Sequence, residues 1–166
     1  MAHPLVEQLR FTRSEWLRGL RGVPEADGLR RFEPINSIGW IVGHMAWHEQ
    51  RYWLTRLAGE TPVPIVNEVA ATGGPATTPS LAEMLKAWRT VTAAADPYLD
   101  QLDEARMQDE LPGAPARQFG TAILRVTYHY WFHTGELLAI RQLLGHPRRP
   151  EFVGNIDDKA PYRSPA

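Results

Sequence analysis

Residues 117–144 read RQFGTAILRVTYHYWFHTGELLAIRQLL. Along this stretch Phe119, Ala122, Val126, Tyr130, His133, Leu137, Ile140 and Leu144 recur every three or four positions. That repeat is one face of an α-helix, and it is the strongest helical period in the chain. Gly145 and Pro147 end it. His133 falls inside the apolar stripe, while His129 lies just off it, with Arg125 and Glu136 on the flank.

Three further segments upstream carry helical spacing. The first runs from Pro4 to about Arg21, with Leu5, Leu9, Trp16, Leu17 and Leu20 on one side, and Gly22, Pro24 and Gly28 break it. Residues 30–34 read as a connector. The second runs from about Ser37 to Ala58, with Asn36 as the expected N-cap. Its stripe is Ile38, Val42, Met45, Tyr52 and Trp53, and Gly59 is the expected stop. The third begins after Ser80, with Glu83 at the reciprocal capping position, and extends to about Leu102. Pro97 is expected to kink or interrupt it near Asp96.

Residues 60–79, between the second and third helices, hold four prolines and two glycines and fit no period. They read as a long surface loop, long enough to cross between two helices that run the same way. Residues 103–116 read as another connector, and the tail 147–166 as a wrap anchored by Phe152, Val153 and Tyr162. The expected fold class is therefore all-α, a four-helix bundle in which residues 1–166 form a single domain.

Composition narrows the chemistry. The chain has 166 residues, 43% hydrophobic and 22% charged, a globular balance. It has no cysteine, so disulfides, thiolate metal sites and a cysteine nucleophile are excluded. A transition-metal site must be built from His, Asp or Glu. The net charge is −1, and no cluster of basic residues marks a nucleic-acid surface. No apolar run approaches the ~18 residues of a membrane span, and the start lacks a signal-peptide core. The expectation is a cytoplasmic protein that acts on a small molecule, without nucleic acid or membrane as partner. A homodimer is compatible with its many apolar aromatics.

Six histidines are present. His3 and His146 lie outside the helical repeats and read as exposed or as capping residues. The others form two pairs, His44/His48 and His129/His133, each at i, i+4 spacing. That spacing puts both rings of a pair on one helix face, where two imidazoles can grip one divalent ion. One such pair is ordinarily a hydrogen-bonded core feature. Two pairs on two helices of a small bundle point to metal. Met45 follows His44 and Tyr130 follows His129, so neither pair has the glutamate of the H-E-x-x-H metalloprotease motif. Glu49, on the apolar stripe of the second helix, and Glu136 are expected either to hold a ligand histidine or to pair with an Arg. Trp40, Trp47, Trp53, Tyr128, Tyr130, Trp131 and Phe132 surround the pairs in sequence, as core or as the wall of an apolar pocket.

The segment from Asn36 through His44 and His48 to Glu49 resembles the second-helix signature of the DinB/YfiT-like superfamily. The segment His129-Tyr-Trp-Phe-His133-Thr-Gly-Glu136, followed by Arg141, resembles its fourth-helix signature. The resemblance implies a bundle of up-down-down-up topology with a long second connection. It also implies a divalent metal held by one histidine of the second helix and two ligands of the fourth, which by position are His44, His129 and His133. His48 has no fixed counterpart in that pattern. Some similar proteins are transferases that use bacillithiol, or a maleylpyruvate isomerase that uses mycothiol, so a low-molecular-weight thiol is an implied cofactor. Zinc is the expected ion, with nickel or iron as alternatives.

Three neutral imidazoles with one coordination position open would leave the full charge of the ion to lower the pKa of a bound thiol or water. The expected function is a metal-dependent S-transferase or isomerase. The alternatives are a hydrolase and a non-catalytic metal- or ligand-binding protein. Candidates for proton handling or for binding a substrate anion are His48, Glu49, Arg125 and Glu136.

Overall fold

The computed structural model describes residues 2–114, 116–151 and 153–164. Its elements, in chain order, are α1 Pro4–Leu20, α2 Glu25–Leu29, α3 Ile38–Glu49, a π-helical turn Gln50–Thr55, α4 Arg56–Ala58 and α5 Ile65–Val69. These are followed by α6 Leu81–Leu99, α7 Glu104–Met107, α8 Phe119–Leu143 and α9 Ile156–Lys159. No strand occurs among the described residues, only an isolated bridge between Glu110 and Gln118. None of the described helices is long and apolar enough to cross a membrane. The chain divides into two units, Met1–Arg21 with Pro97–Ala166, and Gly22–Asp96.

In the first unit α1 lies along α8. Trp16 meets Tyr130 edge-on at 5.8 Å, Phe11 meets Trp131 at 6.4 Å, and Gly19 faces Leu137 and gives its carbonyl to Arg141. Leu5 lies beside Gly120 and Gly19 beside Leu137, so α1 and α8 run in the same direction. Trp16, Tyr130 and Phe119 are fully buried, and each large ring removes ~150–250 Å² from water.

His3 is the N-cap of α1, its Nδ1 accepting from the Leu5 N–H at 3.1 Å. It is therefore fixed, and not exposed at a frayed end. Arg141 is buried and clamps the tail: its guanidinium donates to Gly19 O, to Arg148 O and to His146 Nδ1. Burial, then the nearby Arg149 charge, hold its pKa below the usual arginine value. Gln8 and Arg18 fasten the tail further, donating to Ala160 O and Glu151 O. Tyr162, expected as an anchor, is 90% exposed, while Val153 is half-buried and Phe152 lies outside the described residues.

In the second unit Ser37, and not Asn36, caps α3, its hydroxyl accepting from the Trp40 N–H at 3.2 Å. All twelve residues of α3 are buried, so the single stripe read from the sequence is too narrow. A helix that is apolar on every side packs on every side. Small residues permit it: a Cβ on Gly39 would stand 2.2 Å from Pro79 O, and one on Gly43 would stand 2.6 Å from Met84 Sδ. These contacts also advance together, so α3 and the start of α6 run in the same direction.

Two groups cap α6. The Ser80 hydroxyl accepts from the Glu83 N–H, and the Glu25 carboxylate accepts from the Leu81 and Ala82 N–H groups at 2.9 Å each. The helix continues through Pro97 to Leu99, so Pro97 does not interrupt it.

Gly39→Ala is expected to cost about 1–3 kcal/mol, because the Pro79 backbone has no rotamer by which to yield. Gly135→Ala, on α8, meets nothing within 4 Å and should be neutral or stabilising by up to about 1 kcal/mol. Denaturant midpoints of the two variants check this. Equal midpoints would contradict the close approach at Gly39.

Candidate metal centre

On α8 the i, i+4 spacing sets the His129 and His133 rings 4.6 Å apart, centroid to centroid. His133 is 6% exposed and His129 half-buried. His133 Nδ1 lies 2.7 Å from Glu136 Oε2. A carboxylate accepts, so the hydrogen sits on Nδ1, and the lone pair of the neutral ring is left on Nε2. That Nε2 lies 2.9 Å from His129 Nε2. Two ring nitrogens this close share one hydrogen between them, or turn both lone pairs to a cation.

On α3 the same logic fixes His44. Its Nδ1 lies 2.9 Å from Ala70 O, a carbonyl that can only accept, so Nε2 again carries the lone pair. The ring is sandwiched: it stacks on Trp40 at 4.8 Å and 8° and on Trp47 at 5.4 Å. His44 and His48 are 4% and 7% exposed. His48 is 6.3 Å from His44, centroid to centroid, and 4.7 Å from Tyr52, over which the Arg56 guanidinium sits at 4.9 Å. Glu49 is fully buried.

The segment 60–79 is what carries Ala70 to His44. Most of it lies at the surface, as its composition leads one to expect, but it is fastened at both ends and contains a short helix. Gln50 holds it at one end, donating to Val63 O at 3.1 Å and accepting from Val63 N–H at 2.8 Å. The short helix α5 then buries Val66, and Ala70 follows it in the core. Gly43 leaves room for the Ala70 methyl, which would stand 3.0 Å from a Cβ there. Thr77 donates to Val69 O and closes the segment.

His44, His129 and His133 make a three-histidine set that could hold a metal ion. His48, Glu49, Arg125 and Glu136 stand outside that set. Glu136 instead orients a member of it, while Arg125 is exposed on the flank of α8. Tyr128 and Phe132, read as core or pocket wall, are 65% and 69% exposed. The Ala70 carbonyl is the functional group that sequence reasoning missed. A backbone oxygen brought in across 26 residues leaves no mark in a local pattern.

No curated protein matches the chain. A model of the DinB superfamily matches residues 4–137, a span that includes both histidine pairs. The chain belongs to the DinB superfamily.

Proposed function

We propose that the chain is a metal-dependent enzyme whose ion is held by His44, His129 and His133, with one coordination position left to a low-molecular-weight thiol or to water. The observation that carries the reading is the pair of Nε2 atoms 2.9 Å apart on α8, one of them backed by Glu136. Metal-ligating histidines donate their other N–H to a carboxylate or a backbone carbonyl. His133 and His44 have one of each. The donor set is nitrogen only, which suits zinc, with nickel and iron as alternatives.

The arrangement that goes with this reading is one domain in an up-down-down-up four-helix bundle. The shared direction of α1 and α8, and that of α3 and α6, support it. Segment 60–79 is then the long crossover such a topology requires.

A divalent ion supplies a Lewis acid that lowers the pKa of a thiol or water into the neutral range. The protein's residues do the rest. Glu136 and Ala70 O keep two imidazoles in the tautomer that presents Nε2, and Trp40 and Trp47 hold the plane of His44. In this reading His48, one turn on from His44 and 6.3 Å from it, is the group that takes a proton. The reaction class is S-transfer to an electrophile or thiol-assisted isomerisation.

Titration of the zinc-loaded full chain with N-acetylcysteine tests the thiol step. Saturable heat that vanishes in the chelator-stripped chain is expected. Equal heats with and without zinc would remove the thiol from the proposal.

A further inference from the structure

On α8, Arg125, His129, Phe132 and Glu136 follow one another at intervals of four, three and four residues, so they share one helix face. Beside this face stands Tyr128. Two large aromatic rings 65% and 69% exposed on one short stretch of helix are an unusual way to leave apolar surface in water. Phe132 is not detached from the chemistry: its ring stands edge-on to the His133 ring at 5.0 Å and 82°. His129, between the two aromatic positions, is half-buried.

The charges on this face are asymmetric. Glu136 is committed to His133 Nδ1. Arg125 is exposed one turn before His129 and makes no hydrogen bond or ion pair among the described residues. An approaching molecule therefore meets a free guanidinium and two uncovered rings, and the Glu136 carboxylate on this face is already committed.

We propose that this face selects a small organic anion with an apolar body, an aryl carboxylate being the simplest member of the class. The inference rests on the metal site proposed above and extends it to the substrate. The anionic group pairs with the Arg125 fork, which matches a carboxylate in a bidentate manner. The apolar body covers Phe132 and Tyr128, where an offset or edge-on ring contact adds to area burial. A cation is disfavoured by Arg125 and by the ion alike. A wholly polar solute leaves both rings uncovered and gains nothing from them.

Benzoate, acetate and benzamide, titrated into the zinc-loaded full chain and followed by tryptophan fluorescence, test the inference. Benzoate is expected to bind more tightly than acetate, which lacks the ring, and than benzamide, which lacks the charge. Arg125→Gln should weaken benzoate about tenfold and leave benzamide unchanged. Phe132→Ser should narrow the gap between benzoate and acetate by about fivefold. Both side chains are exposed, so neither change threatens the fold.

Equal affinity for the three probes with zinc bound overturns the substrate class and leaves the metal site standing. An Arg125→Gln variant that binds benzoate as the parent does overturns it too. So does a Phe132→Ser variant that keeps the preference but changes the sedimenting mass, because the rings then serve contact between copies. A parent chain that takes up no stoichiometric zinc overturns the metal site and this inference together.

Discussion

His133→Ala should remove stoichiometric metal binding, weakening affinity by more than about 100-fold. This is the largest effect expected of any single substitution. Losing a partner that only orients a ligating histidine costs 10–100-fold, and this change deletes the proposed ligand itself, the imidazole that Glu136 orients. It also leaves Glu136, with a side chain 25% exposed, without its partner. Because His133 is buried, the variant also opens a cavity, and the metal-free protein is expected to lose about 2–4 kcal/mol of stability. The two effects separate experimentally. Circular dichroism of the chelator-stripped variant reports the fold, and zinc content after dialysis reports the site. His48→Ala is the matched comparison: that ring is as buried but stands outside the three-histidine set, so it should destabilise and still retain metal. Full zinc occupancy in His133→Ala would show that the ion sits elsewhere.

Glu136→Ala carries the second-largest expected effect, a loss of about 10–100-fold in metal affinity with little change in fold. The carboxylate lies 2.7 Å from His133 Nδ1 and so decides which ring nitrogen keeps its lone pair. Glu136→Gln separates orientation from charge. The amide oxygen can still accept from Nδ1–H, so most of the affinity should return, short of the part due to the negative charge. The expected order in competition against a zinc chelator is parent, then Gln, then Ala. If Ala binds as tightly as the parent, the contact is an ordinary surface ion pair, which contributes ~0–1 kcal/mol.

How much of this could be read in advance depended on whether the deciding interaction was local. The spacing from Phe119 to Ile140 gave α8 within a residue or two at each end, because period and burial coincide there. Asn36 and Ser37 are both capping residues, and only the reach of one hydroxyl to the Trp40 N–H distinguishes them. In α3 a stripe was the wrong image. Gly39, Gly43 and Ala46 are small enough for neighbours to close on every side, and a periodicity test does not register approach distance.

The segment 60–79 was opaque for a different reason. Its helix α5 has five residues, too few to show a period, and its position depends on Gln50 and Val63, thirteen residues apart. Whether Tyr128 and Phe132 belong to the core was not legible, because an aromatic at helical spacing carries no sign of which side of the helix is covered. The three histidines proposed as ligands were named through the family resemblance. Spacing alone had offered two equivalent pairs, and it did not separate His44 from His48.

Metal uptake by the chain is the most direct measurement. The protein should be made without added nickel, stripped with chelator, titrated with zinc by calorimetry, and then assayed for metal. One ion per chain, bound saturably and lost in His44→Ala, His129→Ala and His133→Ala but kept in His48→Ala, is the expected result. No saturable zinc binding by the folded parent, or binding unaffected by all three changes, would contradict a shared three-imidazole site.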